Sequence, residues 1–576
     1  MELEKFTNFF NKREKSKIYI LFSSMLIASL LETIGLGLIF PITGIILENV
    51  NETNNVYSNL FKNLFNFPKE NLITYSLILL VIIYFIKIIF MIWFTYFQTK
   101  FIYFFKENLS SGLFNNYLKQ NFEFFYNKNS AEILRNITTE VNNFSNYLIS
   151  FLRLSLELFV ASFIIILLIY LNPLVAFSVI GLFGSISLIY FYSFRKKIQL
   201  WSLERQTNSK EIIQFAQEGF GSLNYIKFVG KENFFFNKFK IKNFGLALLN
   251  VKFNFVKELP KFVFEFIGIV SIILIFYFYF KSGKNISETI QILAVYFAAS
   301  FRILPSINRI LSNAQSMKFS GSAIFNLSNE FKEFKKQNIN SFGEAKVQFN
   351  HDINLSIRRF NYLGKRDFNL ENVGIKIKKN QKIGIMGKTG SGKSTIIQMI
   401  LGVIKNEEVE LIVDGTLVNS QSRSWQNLIC YVPQKIFILD DTLKNNILFG
   451  KEDTTKNNSK INEFIKITQL DKLVNQLPDG LDSKIGERGY NLSGGEIQRI
   501  AICRALLEDK DIIVLDEVTS SLDKATSNYI IKHIFELKNK TIIFVSHKNE
   551  SLKNCDLIYS FDKGKIEKIF SSNNLQ

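Results

Sequence analysis

The segment Gly387–Ser394 has the residues that a protein needs to hold a string of phosphates. Its pattern, G-x-x-x-x-G-K-S, follows a short apolar stretch that predicts a buried strand, Ile383–Gly387, and precedes a predicted helix, Thr395–Gly402. Its three glycines let backbone N–H groups close around phosphate oxygens. Lys393 is placed to reach the β- and γ-phosphates, and the Ser394 hydroxyl to hold Mg²⁺. The order strand, loop, helix therefore predicts a nucleoside triphosphate site.

Two carboxylates follow the apolar stretch Ile512–Leu515. A buried strand that ends there places Asp516 at a metal ion and Glu517 where it accepts a proton from an attacking water. His547 follows another apolar stretch, Thr541–Val545, and is a candidate for contact with the γ-phosphate. Acids after a buried strand, or a single histidine, are often only structural. Beside a phosphate loop they predict phosphoryl hydrolysis.

A second anion-binding surface is predicted about 100 residues after the first. Ser493 is followed by Gly494 and Gly495 at the start of an Ala/Leu-rich predicted helix. Backbone N–H groups at a helix N-terminus attract anions. The chain therefore carries two phosphate-binding surfaces.

The composition indicates what surrounds these motifs. The chain has 576 residues, of which 47% are hydrophobic and 15% aromatic, and this excludes a disordered protein. A mean hydropathy of only +0.12 excludes a chain embedded wholly in lipid. Three cysteines without paired spacing exclude a disulfide scaffold and a zinc site. A membrane part joined to a soluble part remains.

Apolar stretches in the first 310 residues predict six membrane spans. Residues 158–194 contain no charged side chain and are long enough for two spans with a turn at Asn172-Pro173. The other four are Ile18–Leu47, Leu72–Thr99, Val263–Phe280 and Thr289–Asn308.

The distribution of basic residues predicts the orientation. Between the fourth and fifth spans, residues 195–262 contain 13 Lys and Arg. The connections on the other face contain only Lys62, Lys69, Lys281 and Lys284. The positive-inside rule then places the N-terminus and everything after residue 310 in the cytoplasm. The same bias accounts for much of the net charge of +19, so nucleic acid is not expected as a partner.

Residues 345–570 resemble the nucleotide-binding domain of an ATP-binding cassette (ABC) protein, because all the motifs occur in the family order. The resemblance implies an α-helical membrane bundle of six transmembrane helices with long cytoplasmic extensions, joined to an α/β P-loop ATPase domain. The expected domains are 1–330 and 331–576. Mild departures include Asn380 before the phosphate loop and Glu496 where many members have Gln.

The resemblance also implies a role for each matching residue. Expected catalytic residues are Glu517, His547 and Gln434, and expected Mg²⁺ ligands are Ser394, Gln434 and Asp516. The expected ATP-binding residues are Tyr362, Gly387, Lys388, Thr389, Gly390, Ser391, Gly392, Lys393, Ser394, Thr395, Ser493, Gly494, Gly495 and Asp523.

In this family the signature segment, here Leu492–Glu496, closes over the phosphate loop of another domain. A chain with one of each is therefore expected to act as a homodimer, with ATP and Mg²⁺ as cofactors. Six spans followed by one cassette resemble an exporter half-transporter.

Charged residues within the spans bear on the cargo. Lys87 and Arg302 lie deep in the second and sixth spans, and Arg309 lies nearer the cytoplasm. Intramembrane charges usually face a cavity or a partner. One interpretation is a cationic cavity for an anionic head group. The alternative is charge pairing within the bundle, with the acids Glu32, Glu157 and Glu265 as partners.

The segment Arg302–Pro305, followed by Ile307–Arg309, also resembles the sixth span of bacterial flippases for lipid-linked oligosaccharides. The sequence thus predicts a multi-pass exporter of the bacterial inner membrane, surrounded by membrane lipids. Its expected cargo is a polyprenyl-diphosphate-linked oligosaccharide flipped to the outer leaflet. An exporter of peptides, drugs or ordinary lipids is the first alternative, and an ATP-gated channel the second.

Overall fold

The computed structural model describes residues 6, 9–37, 72–120, 124–125, 128–171, 173–281, 286–338, 346–361, 369–404, 406–486, 489, 492–547 and 549–571. The chain forms two compact units. The helical unit comprises Met1–Gln120 and Asn127–Gln337, and the α/β unit comprises Asn121–Tyr126 and Asn338–Gln576.

The helical unit is built from long helices. Their bounds are α1 Lys12–Gly37, α2 Leu72–Leu118, α3 Ser130–Arg135, α4 Val141–Leu171, α5 Pro173–Gly221, α6 Leu223–Val229, α7 Glu232–Lys281 and α8 Ile286–Asn338, with a π-helical turn, Asn136–Glu140, between α3 and α4.

Within the described residues, three segments are long and apolar enough to cross a membrane: Lys12–Gly35, Leu77–Leu118 and Ser130–Tyr170. The other predicted spans fall on α5, α7 and α8, parts of whose side chains lie outside the described residues. The last ten residues of the first predicted span, 38–47, also lie outside them. The count of six spans stays a prediction.

The helical unit has its own apolar core. Val160 and Ile164 of α4 pack with Phe183 of α5, Phe264 of α7 and Ile303 of α8. Four long helices therefore share one buried apolar layer.

The α/β unit contains two sheets. Its elements are β1 Asp352–Asn361, β2 Asn369–Lys378, β3 Lys382–Gly387, α9 Lys393–Ile400, β4 Val409–Val413, β5 Thr416–Leu417, α10 Arg423–Gln426, β6 Ile429–Val432, α11 Leu443–Leu448, α12 Thr455–Ile467, α13 Asp471–Gln476, α14 Gly494–Glu508, β7 Ile512–Asp516, α15 Lys524–Phe535, β8 Thr541–Val545, β9 Leu557–Asp562 and β10 Lys565–Phe570.

The larger sheet has the order β10-β9-β3-β8-β7-β6, and the smaller one β2-β1-β4-β5. In the larger sheet β3 pairs in parallel with β8 and β9, and β7 pairs in parallel with β8 and β6. Every residue of β7 and β8 is buried, as expected for apolar strands covered on both faces. The carboxyl ends of β3, β6, β7 and β8 consequently meet at one edge.

All three cysteines lie inside the α/β unit as free thiols. Cys430 is on β6, Cys503 on α14, and Cys555 two residues before β9. Burial raises the pKa of each thiol to about 12.

Candidate functional site

The phosphate loop connects β3 to α9 and turns back on itself. The ammonium Nζ of Lys393 donates to the carbonyl oxygens of Gly387 and Lys388, at 2.8 and 3.0 Å. Gly390 and Gly392 have φ of +83° and +107°, which side-chain-bearing residues rarely adopt. The glycines of the motif thus allow the loop to wrap around the lysine that begins the helix.

Gly387 is required for a second reason, which is space. A Cβ at this position would lie 2.4 Å from the carbonyl oxygen of Phe561 and 2.6 Å from Oγ of Ser391. That Ser391 hydroxyl is buried and has no hydrogen-bond partner among the described residues. A buried donor of this kind fits a phosphate oxygen.

Asp516 ends β7 with a buried carboxylate. Burial raises its pKa, and the hydroxyl of Tyr431, which donates to Oδ2 at 3.2 Å, opposes the rise. Burial also lowers the pKa of Lys393, against the pull of Glu517 and Asp516. An acid and a base that are both partly desolvated indicate a site for charged ligands.

Glu517 is held from two sides. Nε2 of Gln434 donates to its Oε2 at 2.6 Å, and Nε2 of His547 contacts its Oε1. The other ring nitrogen of His547, Nδ1, lies 2.9 Å from the carbonyl oxygen of Gly387. The carbonyl oxygen of Gly387 and the carboxylate of Glu517 are both acceptors, so each can take a hydrogen bond from the ring nitrogen that faces it. The carboxylate, the amide and the imidazole are therefore connected to the phosphate loop.

The second predicted anion surface begins α14. Ser493 caps this helix, and its hydroxyl and the Glu496 carboxylate form a reciprocal capping box. Gln498 of the same helix donates to Oγ of Ser520 at 3.0 Å and accepts from the backbone N–H of Ser521 at 3.1 Å. The segment after Glu517 is thereby attached to the helix of the signature segment.

Asp523 has a local structural partner. It caps α15 by accepting a hydrogen bond from the backbone N–H of Thr526, and this bond lowers the pKa of the carboxyl. The Asp523 side chain that is predicted to bind ATP therefore also caps a helix.

The structure brings most of the predicted residues to one edge of the larger sheet. The phosphate loop, Asp516, Glu517, Gln434 and His547 are joined by the contacts above. Tyr362 lies outside the described residues. Two supporting residues, Tyr431 and Gln498, are not among the residues predicted from the sequence. Tyr431 pairs in register with Val514 of the strand that ends in Asp516, and the sequence alone does not show this pairing.

The site fits a nucleotide and a divalent cation. The Lys393 ammonium, the Ser391 hydroxyl and the N-terminus of α9 suit phosphate oxygens. Among the described residues, His, Cys, Asp and Glu form no group of three that could hold a metal alone. Mg²⁺ is usually held by one or two carboxylates together with phosphate oxygens. Asp516 offers such a carboxylate beside the phosphate loop.

Two of the cations that the sequence places within the spans, Lys87 and Arg309, are paired with acids of other helices. Nζ of Lys87 lies 3.3 Å from Oε1 of Glu32. Nη1 of Arg309 donates to Oε1 of Glu157 at 2.7 Å, and the Ser306 hydroxyl donates to Oε2 at 2.8 Å. The alternative of charge pairing thus describes these two cations better than an unpaired cationic cavity. The side chain of Arg302 lies outside the described residues.

Both ion pairs line one cavity of about 430 Å³. Apolar residues of four helices complete its wall: Ala28 of α1, Met91 of α2, Leu156 and Val160 of α4, and Pro305 of α8.

Two family models match the chain. The model described as ABC transporter transmembrane region matches residues 18–304, and the one described as ABC transporter matches residues 370–520. The chain belongs to the ABC transporter family. With one transmembrane region and one ATP-binding domain, this ABC transporter has the layout of an exporter half-transporter.

A solved structure shares the fold of this ABC transporter. It is that of a bacterial Atm1-family ABC exporter with ATP bound, with a TM-score of 0.80 and 16% identity, covering 98% of this chain and 96% of the other. The predicted fold class, a helical membrane bundle with an α/β P-loop domain, is confirmed.

Named relatives match parts of the chain. An export ATP-binding/permease protein, so named provisionally, of Rickettsia felis is 39% identical over 36% of each chain. An ATP-dependent lipid A-core flippase of Colwellia psychrerythraea is 33% identical over 49% of this chain and 52% of its own. A multidrug resistance-like ATP-binding protein of Buchnera aphidicola is 29% identical over 65% of each. The match thus spans about a third of the first relative's length and about two thirds of the last one's.

Proposed function

We propose that this ABC transporter is an ATP-driven exporter that hydrolyses ATP at Glu517. The observation that carries the proposal is the position of this carboxylate, held between Gln434 and His547 directly after the buried strand that presents Asp516. His547 in turn contacts the phosphate loop through Gly387. General-base catalysis needs a carboxylate oriented in this way toward the γ-phosphate side of a nucleotide site.

Each residue then has one task in the reaction. The phosphate loop with Lys393 and Ser391 binds the β- and γ-phosphates, and Tyr362 is assigned to the adenine ring. Asp516, Ser394 and Gln434 would hold Mg²⁺, which when bound neutralises phosphate charge. Glu517 accepts the proton of the attacking water, and His547 holds that carboxylate in place.

We assign the functional unit to a homodimer. Ser493, Gly494 and Gly495 at the start of α14 form the second phosphate surface, and in this arrangement they face the phosphate loop of a second copy. Gln498 supports the same arrangement, because it connects the signature helix to the segment that follows Glu517.

As the first candidate cargo we propose a polyprenyl-diphosphate-linked oligosaccharide, moved to the outer leaflet of the bacterial inner membrane. That proposal rests on Lys87, Arg302 and Arg309. The ion pairs Lys87–Glu32 and Arg309–Glu157 favour a second candidate, an exporter of drugs, peptides or ordinary lipids. A cation that is already paired with a carboxylate attracts an anionic head group less strongly than an unpaired cation does. The names of the flippase and multidrug resistance-like relatives are compatible with this second candidate.

The test uses the full chain in proteoliposomes, with hydrolysis and cargo movement measured together. Lys393→Ala should abolish both, because it removes the ammonium that reaches the phosphates. Lys472→Ala, an exposed lysine on α13, is the matched control and should retain both. Separate vesicles carry a polyprenyl-diphosphate-linked oligosaccharide, a fluorescent drug or a fluorescent phospholipid. Hydrolysis without ATP-dependent movement of any of them would contradict the exporter proposal.

A further inference from the structure

The cavity between α1, α2, α4 and α8 contains two acids and two bases whose formal charges cancel. Glu32 and Lys87 form one ion pair, and Glu157 and Arg309 the other. The volume of about 430 Å³ lies within the range of small-molecule sites. The four charges come from four different helices, so the cavity surrounds its occupant with charges of both signs.

We propose that this cavity selects a zwitterionic amphiphile, a molecule with an amine cation close to a phosphate or carboxylate anion and an apolar part attached. This inference rests on the proposed function, since it names the class of cargo for the exporter.

The argument concerns what remains behind when a charged ligand enters. An anion alone must draw Lys87 or Arg309 away from its partner and leave a carboxylate without compensation. A cation alone must draw Glu32 or Glu157 away from its partner and leave the Lys87 ammonium or the Arg309 guanidinium without its carboxylate. In each pair the carboxylate is at most 14% exposed, and the Lys87 ammonium is 17% exposed, so leaving one of these three charges without compensation is strongly unfavourable. A zwitterion avoids both losses, because its anion accepts from Lys87 while its ammonium donates to Glu32.

The exposure of the four side chains indicates how such a ligand enters. Arg309 is 54% exposed, whereas Glu157 is only 7% exposed and is also bound by Ser306. The anionic end therefore meets Arg309 first, and the ammonium reaches the carboxylates behind it. Met91 and Val160 offer the apolar surface for the rest of the molecule.

The experiment measures ATP-dependent movement of acyl-labelled phospholipids in proteoliposomes that contain the full chain. The zwitterionic probe is phosphatidylethanolamine, and the anionic probe, with the same acyl chains, is phosphatidylglycerol. We expect the zwitterion to move about tenfold faster per ATP hydrolysed, the effect of one charge-assisted contact. An amphipathic dipeptide, which is also a zwitterion, is tested in parallel. Its ATP-dependent movement in place of phosphatidylethanolamine also supports the inference and identifies a peptide as the source of the two charges.

Single neutralisations give the inference a directional signature. Glu32→Gln leaves the cavity with net positive charge and should shift the preference about tenfold toward phosphatidylglycerol. Lys87→Gln should shift it away from that anion. The exchange Glu32→Lys with Lys87→Glu restores neutrality and should restore the parent preference, which controls for folding. Glu211→Gln breaks a more exposed pair, Lys242–Glu211, and should leave the preference as in the parent.

Two failures are distinguishable. If neither phospholipid nor the dipeptide moves but the oligosaccharide or the drug of the first test does, the exporter stands and the zwitterion inference is overturned. If none of these compounds moves in an ATP-dependent way, the exporter proposal itself is wrong. If the parent protein moves phosphatidylglycerol as fast as phosphatidylethanolamine, or if Glu32→Gln and Lys87→Gln shift the preference in the same direction, the exporter stands and the zwitterion inference is overturned.

Discussion

The ATP site and the membrane cavity both contain acids beside cationic or basic groups, but they use them differently. At the ATP site, Glu517 follows directly on a strand and its neighbours are fixed by the edge of one sheet. In the cavity, Glu32 and Glu157 are paired with cations from other helices. In the ATP site the backbone of one sheet positions the acid, so its carboxylate can be used for chemistry. In the cavity, side chains from different helices bring charges into an apolar environment, and each acid is neutralised by a cation.

The strongest test of this contrast is Glu517→Gln. It keeps the side-chain shape and an acceptor oxygen but removes the base, so ATP hydrolysis should fall by about 10²–10⁴-fold, the usual contribution of general acid–base catalysis. ATP binding should remain, because the phosphate loop is unchanged. Steady-state hydrolysis and nucleotide binding by the purified protein check both expectations.

Another acid of the same unit provides the control for that test. Glu508→Gln, which removes a partly exposed acid paired with Lys451 at the end of α14, should keep the parent rate. Hydrolysis at the parent rate by Glu517→Gln would remove this residue from its assigned role and with it the contrast between the two regions.

The shared-site arrangement gives the next largest effect. Ser493→Arg and Lys393→Ala should each reduce hydrolysis more than tenfold in homodimers, since each loses one phosphate-binding surface. Mixed dimers of the two variants should regain activity, because one of their two sites then combines an intact phosphate loop with an intact signature.

Co-expression with two affinity tags isolates the mixed dimer. Its hydrolysis and the amount of nucleotide retained are compared with those of both homodimers. Equal inactivity of all three species would argue that the site is completed within one chain.

Glu157→Gln tests the charge compensation in the cavity. Arg309 loses its ionic partner and Ser306 competes for the remaining acceptor, so the free energy of unfolding should fall by about 1–3 kcal/mol. Thermal melting in detergent measures it. Glu211→Gln, in a more exposed pair, is the control and should change stability by less than about 0.5 kcal/mol. Equal losses in both variants would show that burial does not set the cost.

The smallest effect concerns Asp509, the αL cap at the end of α14. Lys460 and Lys540 each lie 2.8 Å from one of its carboxylate oxygens, and they lower the pKa of the carboxyl to about 2. A lowered folded-state pKa stabilises the fold above the unfolded value near 4 and loses that contribution as the pH falls toward 2. Asp509→Asn should therefore cost about 0.5 kcal/mol at pH 7, since the side chain is more than half exposed.

Melting curves of parent and Asp509→Asn between pH 7 and pH 3 check this sign. The difference should shrink as the pH falls below about 4. A difference that grows on acidification would contradict the assigned cause.

The sequence predicts the ATP site well because single short segments carry most of it. A strand, its loop and the helix α9 are contiguous from Lys382 to Ile400, so residue order and spatial order agree. The same holds for Asp516 and Glu517. The assigned roles remain predictions, but the elements that position these residues were readable from apolar runs and glycine spacing.

The cavity could not be predicted to the same degree. Lys87 and Glu32 are 55 residues apart, and Arg309 and Glu157 are 152 apart. Which acid meets which base depends on the rotation and packing of long helices, and hydropathy does not encode either. The sequence offers Glu32, Glu157 and Glu265 as candidate partners, but no pattern in it distinguishes pairing from an open cationic surface.

The three buried cysteines have a practical consequence. Only the thiolate reacts with maleimide or methanethiosulfonate reagents, and a pKa of about 12 leaves almost none of it at neutral pH. The natural chain is therefore a ready background for spin or fluorescent labels at introduced cysteines, with no need to remove its own. One label at an exposed position of the α/β unit, such as Lys472, would report the distance between two copies as nucleotide is added.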